Sequence, residues 1–135
     1  MKKIFSVFLA VIMAVSCFSG IVCAEGITPR YVYTNECSSS LTISGSKATC
    51  ESNASGYYGE TTKIVIEQTL QKYNNSTGKW TSVATWSETD IGYNGSASNT
   101  KSGLSSGSYR LKSVFSVYAG VNYEQITVYS DIRSV

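Results

Sequence analysis

From Leu41 onward, apolar and polar positions alternate in short runs broken by Gly, Ser and Asn, and a period of two is the mark of half-buried strands. Leu41 and Ile43 set against Thr42 and Ser44, then Gly45, then residues 47–52, predict a hairpin. Residues 62–73 hold Ile66, Leu70 and Tyr73 at helical spacing, but Ile64, Val65, Ile66 and Thr69 favour a pleated strand, and strand is the reading adopted. The Asn74-Asn75-Ser76-Thr77-Gly78 run supplies turn residues for a hairpin into residues 79–86. Trp80 and Val83 differ in parity within that run, so a bulge is expected between them.

The clearest alternation follows, with Tyr109, Leu111, Phe115 and Val117 on one face, Arg110, Lys112, Ser116 and Tyr118 on the other, and Ser113 as the polar inward position. Residues 119–122 turn the chain, and residues 123–133 return with Ile126, Val128 and Ile132 inward. Residues 87–103 are polar and dotted with glycine, and are expected to form a long connection with at most one weak strand near residues 97–101. The pattern as a whole predicts an all-β sandwich or barrel.

The amino-terminal 24 residues change the arithmetic. Lys2 and Lys3, the apolar run Ile4 to Val15, and Val22-Cys23-Ala24 before Glu25 have the form of a secretory signal peptide. A leader over residues 1–24 and a single β-sandwich domain over residues 25–135 are thus expected. Removing 24 of 135 residues leaves 111, and removes the whole formal charge of +2, because nine bases then balance nine acids. A neutral surface without basic clusters is unsuited to phosphate backbones or anionic lipids, so no nucleic-acid partner is expected. No second long apolar run follows, so no membrane span is expected either, and the protein is read as a secreted monomer. Ala14-Val15-Ser16-Cys17 loosely matches a lipobox, which leaves lipid anchoring at Cys17 as the alternative.

Cys17 and Cys23 leave with the leader, and Cys37 and Cys50 remain as the one possible intramolecular pair, open to bonding outside the cell or to persisting as two thiols. A turn centred on Gly45 sets Cys37 opposite about residue 53, so a disulfide needs a bulge, such as one within Ser38–Ser40, to bring the Cα atoms within ~7 Å.

Leu104-Ser105-Ser106-Gly107-Ser108-Tyr109, ahead of the alternating strand, resembles the tyrosine corner of immunoglobulin and fibronectin type III sandwiches. That resemblance implies an immunoglobulin-like, antiparallel two-sheet sandwich of about seven strands, with Tyr109 as the structural corner tyrosine, Leu111 where antibody domains place a second cysteine, and Trp80 or Ile66 as core anchor. The chain also resembles a group of small exported β-sandwich proteins of Gram-positive bacteria, in the runs Thr62-Lys63-Ile64-Val65-Ile66, Gly78-Lys79-Trp80 and Gly107-Ser108-Tyr109-Arg110. These are fold-supporting residues and imply architecture, not activity.

Histidine is absent from the chain, which removes the commonest general base, the commonest zinc ligand and every Ser/His or Cys/His nucleophile. Glu67 and Glu124 are the remaining carboxylate pair of glycosidase type, but both are read as outward and solvated. Asp90 with Asn94 and Asn99 offers oxygens to calcium at a spacing that matches no cation loop. No catalytic residue, metal or cofactor is therefore assigned. All ten tyrosines lie beyond the leader, and Tyr57, Tyr58 and Tyr93 fall in turns, where exposed rings bind sugars or proteins with little rotamer entropy to lose. The expectation is a secreted, non-catalytic module for a protein or carbohydrate partner. A secreted effector, antimicrobial or signalling, and a structural subunit of a surface assembly are the alternatives.

Overall fold

A computed structural model describes residues 31–135, and the leader, with the candidate anchor Cys17, lies outside the described residues. The described chain is all β: β1 (Thr34–Ser44), β2 (Lys47–Gly56), β3 (Lys63–Asn74), β4 (Lys79–Ile91), β5 (Asn94–Lys101), β6 (Ser108–Ala119), β7 (Asn122–Tyr129) and the short β8 (Arg133–Ser134). They form two antiparallel sheets, β1-β2-β5 and β4-β3-β6-β7, with β8 continuing the β7 edge of β6. This is the expected sandwich.

The bulge inferred from parity is present. Leu70 pairs with Ala84 and Gln71 with Ser82, so Val83 is the extra residue on β4. It turns Trp86 inward against the core, while Trp80 lies on the outer face beside Tyr73 and Arg110. Of Trp80 and Ile66, Ile66 is the fully buried core anchor. Residues 87–103 are largely strand, in correction of the long connection: β4 runs on to Ile91 and β5 starts at Asn94. Their Gly, Ser, Asn and Thr side chains carry no apolar contrast, so backbone pairing there left no period to read. Ile132 is also corrected, being 59% exposed. The edge breaks at Ser130, whose hydroxyl accepts from Leu111 N at 2.8 Å in place of a ladder carbonyl.

The inward faces make two apolar clusters. One gathers Leu41, Cys50, Leu70, Tyr109 and Leu111, the other Ile64, Ile66, Phe115, Val117 and Ile126. A polar layer divides them: Ser52 sits between Cys50 and Ala54 on β2, Gln68 between Leu70 and Ile66 on β3, and Ser113 between Leu111 and Phe115 on β6. Gln68 is fully buried; its Nε2 donates to Ser52 Oγ at 2.8 Å and to the carbonyls of Cys50 and Ala97 at 3.2 Å, while its Oε1 accepts from Asn99 at 2.7 Å. Ser113 Oγ lies 2.7 Å from Ser52 Oγ and 2.8 Å from Ser39 Oγ. A one-residue slip of β3 would withdraw Gln68 from every one of these partners, so the layer sets register as well as satisfying buried polar groups.

The disulfide is not formed. Cys37 pairs with Ala54 and Cys50 with Leu41, and both cysteines are free thiols. Residues 50 and 54 are about 13 Å apart along a strand, well beyond the ~7 Å that a bridge between Cα atoms permits. The hairpin's register shift falls at Thr34/Glu36, outside the segment between the cysteines, and so does not bring them together. Burial raises the Cys50 thiol from its ordinary 9.0 to about 11. Cys37 is raised too, chiefly by burial and then by the charges of Glu36 and Glu124.

Candidate functional site: the tyrosine end of the sandwich

The β2–β3, β4–β5 and β6–β7 loops meet at one end of the sandwich. Thr62 ties them together: its N–H donates to Tyr118 O at 2.7 Å, its carbonyl accepts from Gly92 N at 2.8 Å, and its hydroxyl accepts from Gly120 N at 3.0 Å. Thr61, nearly buried, works one residue earlier. Its hydroxyl donates to Tyr33 O at 2.7 Å and accepts from Tyr57 N at 3.0 Å. Gly56 lies so close to Thr61 that a Cβ would collide with it, and its N–H donates to Tyr93 O at 2.6 Å. Short loops whose backbone groups are spent on one another hold their side chains in fixed positions.

Tyr57, Tyr58 and Tyr93 all stand here. Tyr58 and Tyr93 form an edge-to-face pair with centroids 5.3 Å apart and planes at 88°, and Tyr58 is 85% exposed. Tyr57, the residue before this pair's first member, is partly open to solvent. Across the same end Tyr123 stacks on Tyr118 at 5.1 Å, with Lys63 Nζ 4.2 Å from the Tyr118 centroid. Among the described residues, the large apolar side chains left exposed cluster at this end, Tyr129 and Ile132 excepted.

Glu124 is not the outward, solvated acid that its position in the sequence predicts. It shares the parity of the buried Ile126 and faces the amino-terminal segment, where its carboxylate accepts from Val32 N at 2.9 Å, Tyr33 N at 2.7 Å and Thr34 Oγ1 at 2.8 Å. It latches the start of β1 to the end of the sandwich, a role that only the crossing of chain segments reveals. Glu67 lies on the opposite, outer face of its sheet, so the two share no site.

Beside the tyrosine pair, the outer face of β1-β2-β5 carries a concavity of about 420 Å³, lined by Glu36, Ser38, Asn53, Ser55, Asn94 and Ser96 and walled by Asp90. Asp90 Oδ2 accepts from Ser96 N at 2.9 Å, which occupies an amide on the free edge of β5. Asn99, considered with Asp90 and Asn94 as a calcium ligand, points instead into the core toward Gln68, so that trio is not assembled. No group of three or more His, Cys, Asp or Glu side chains gathers among the described residues. Nor is any helix there long and apolar enough to cross a membrane.

At the other end, Tyr109 is 1% exposed and its hydroxyl donates to Ser105 O at 2.6 Å, which is the geometry of a tyrosine corner. Arg110 follows it on the outer face, its guanidinium 4.3 Å from the Trp80 centroid and 4.2 Å from that of Tyr129. Those rings cover the sheet with a cation already between them.

No family model matches the chain, and no curated protein matches it. Among solved structures it is similar to OgpA from Akkermansia muciniphila, at 16% identity and TM-score 0.43 over 77% of this chain. The chain spans only 31% of that protein's length. It is also similar to CsgH from R. palustris, at 10% identity and TM-score 0.42, covering 69% of this chain and 89% of that one. At such values the likeness assigns no chemistry to this protein.

Proposed function

We propose that the protein is an exported, non-catalytic binding module that engages an extracellular carbohydrate or protein through Tyr57, Tyr58 and Tyr93. The observation that carries this reading is the Tyr58–Tyr93 pair, two open rings held edge-to-face on loops tied by Thr61 and Thr62. Rings placed in advance lose little freedom on binding, and tyrosine presents both an apolar face and a polar tip. The loops that converge at this end include those joining β2 to β3 and β6 to β7, the same kind of position from which immunoglobulin-like sandwiches present their binding loops; this is an analogy of fold.

The test is a binding screen of the purified protein against glycans and extracellular proteins, with Tyr57→Ala, Tyr58→Ala and Tyr93→Ala alongside. Binding that falls in Tyr58→Ala and Tyr93→Ala supports the site. Binding unchanged in all three rejects it, and turnover of any bound ligand rejects the non-catalytic reading.

A further inference from the structure

We infer that the concavity on the outer face of β1-β2-β5 is a subsite for a neutral, hydroxyl-rich sugar residue, reached along the chain from the tyrosine loop because its lining residue Asn94 directly follows Tyr93. The inference rests on the binding reading above and names the class of ligand.

The strand register arranges the lining in two rows. Glu36, Ser55 and Asn94 are cross-strand partners, and so are Ser38, Asn53 and Ser96. Neighbours within such a row stand about 5 Å apart and successive rows about 7 Å apart. Carboxylates accept, amides donate and accept, and hydroxyls do either, so the rows form a lattice of alternating donors and acceptors on the scale of the hydroxyls around a sugar ring. The floor is rigid sheet, and Asp90 is fixed by its bond to Ser96 N, so the lattice is formed before any ligand arrives. Its volume of about 420 Å³ falls within the range of about 300–1,000 Å³ usual for small-ligand sites.

Charge narrows the class. The lining holds two carboxylates, from Glu36 and Asp90, and no lysine or arginine. Lys63, the cation on the nearby end of β3, is parked over Tyr118. A sialylated, uronic or sulfated sugar would meet like charge here without a compensating cation. A neutral sugar meets donors and acceptors for its hydroxyls without charge repulsion.

The experiment measures affinity of the purified protein for a panel of neutral oligosaccharides and their sialylated and sulfated counterparts, with Asn53→Ala, Glu36→Lys and Tyr58→Ala tested beside it and the thermal midpoint as a check of folding. Asn53 and Glu36 are exposed, so both variants are expected to fold as the parent does. The expected result is binding of neutral sugars only, weakened at least tenfold by Asn53→Ala, with Glu36→Lys admitting acidic counterparts. Equal or tighter binding of acidic sugars overturns the inference, as does neutral-sugar binding indifferent to Asn53→Ala. Tyr58-dependent binding of a protein with no sugar bound overturns the inference and leaves the binding module standing. No binding of either kind overturns both.

Discussion

Tyr58 and Tyr109 stand at opposite ends of the same sandwich and are put to opposite uses. Tyr109 ends the β5–β6 connection with its ring in the core and its hydroxyl on Ser105 O, so its surface and its polar tip are both spent internally. Tyr58 follows β2 with its ring in water and an aromatic neighbour at 5.3 Å. The two ends differ in what the loops do. At the corner end the loop folds over a core side chain, whereas at the other end Thr61 and Thr62 bind the loops to one another and leave the rings outside. One residue type thus serves stability where its surroundings close over it and remains available for recognition where they do not.

The largest effect that tests this contrast is expected at the corner. Tyr109→Ala should lower unfolding free energy by about 3–5 kcal/mol, the usual cost of emptying a buried aromatic site, whereas Tyr109→Phe removes only the hydroxyl bond at about 1 kcal/mol; denaturant titration separates the two. Next comes the polar layer between the apolar clusters. Gln68→Leu takes away the acceptor of the Asn99 amide and the donor that serves Ser52 Oγ and two carbonyls, and is expected to cost about 1–3 kcal/mol in the same titration.

The buried Cys50 thiol provides a pH test. Its pKa is raised on folding, from 9.0 to about 11, so between those values the folded state holds a proton that the unfolded chain has lost. Its contribution is therefore complete below pH 9.0 and is lost as pH rises toward about 11. Urea midpoints measured across that window should fall, and Cys50→Ala should flatten the dependence. The smallest stability effect is expected at the tyrosine end, where Tyr58→Ala should change unfolding free energy by no more than about 0.5 kcal/mol while weakening ligand binding. A large loss of stability in that variant would mean that Tyr58 serves the fold as Tyr109 does, and the contrast would fail.

Most of the architecture was legible in the order of side chains. Strict alternation marked β6, and the parity conflict between Trp80 and Val83 located a bulge, because a period of two cannot skip without an extra residue. Of β5 only residues 97–101 were anticipated, as a weak strand, and its start and the far half of β4 were not legible, since Ser, Thr, Asn and Gly give no contrast between faces. The candidate site was half legible: Tyr57, Tyr58 and Tyr93 were picked out by their turn positions. Their Thr61 and Thr62 supports were not, and neither was the Asp90 wall, because each acts on chain segments remote in sequence.

Local chemistry therefore determined the strands with apolar contrast, the turns, the corner and the identity of the surface rings, since each depends on neighbours a few residues away. Tertiary structure alone decided that Cys37 and Cys50 stay apart, that Gln68 and Asn99 meet inside, that Glu124 latches the first strand, and that Tyr58 meets Tyr93. Each of those depends on register and on which sheet a strand joins. Alternation says which face a residue takes, but not which residue waits opposite it.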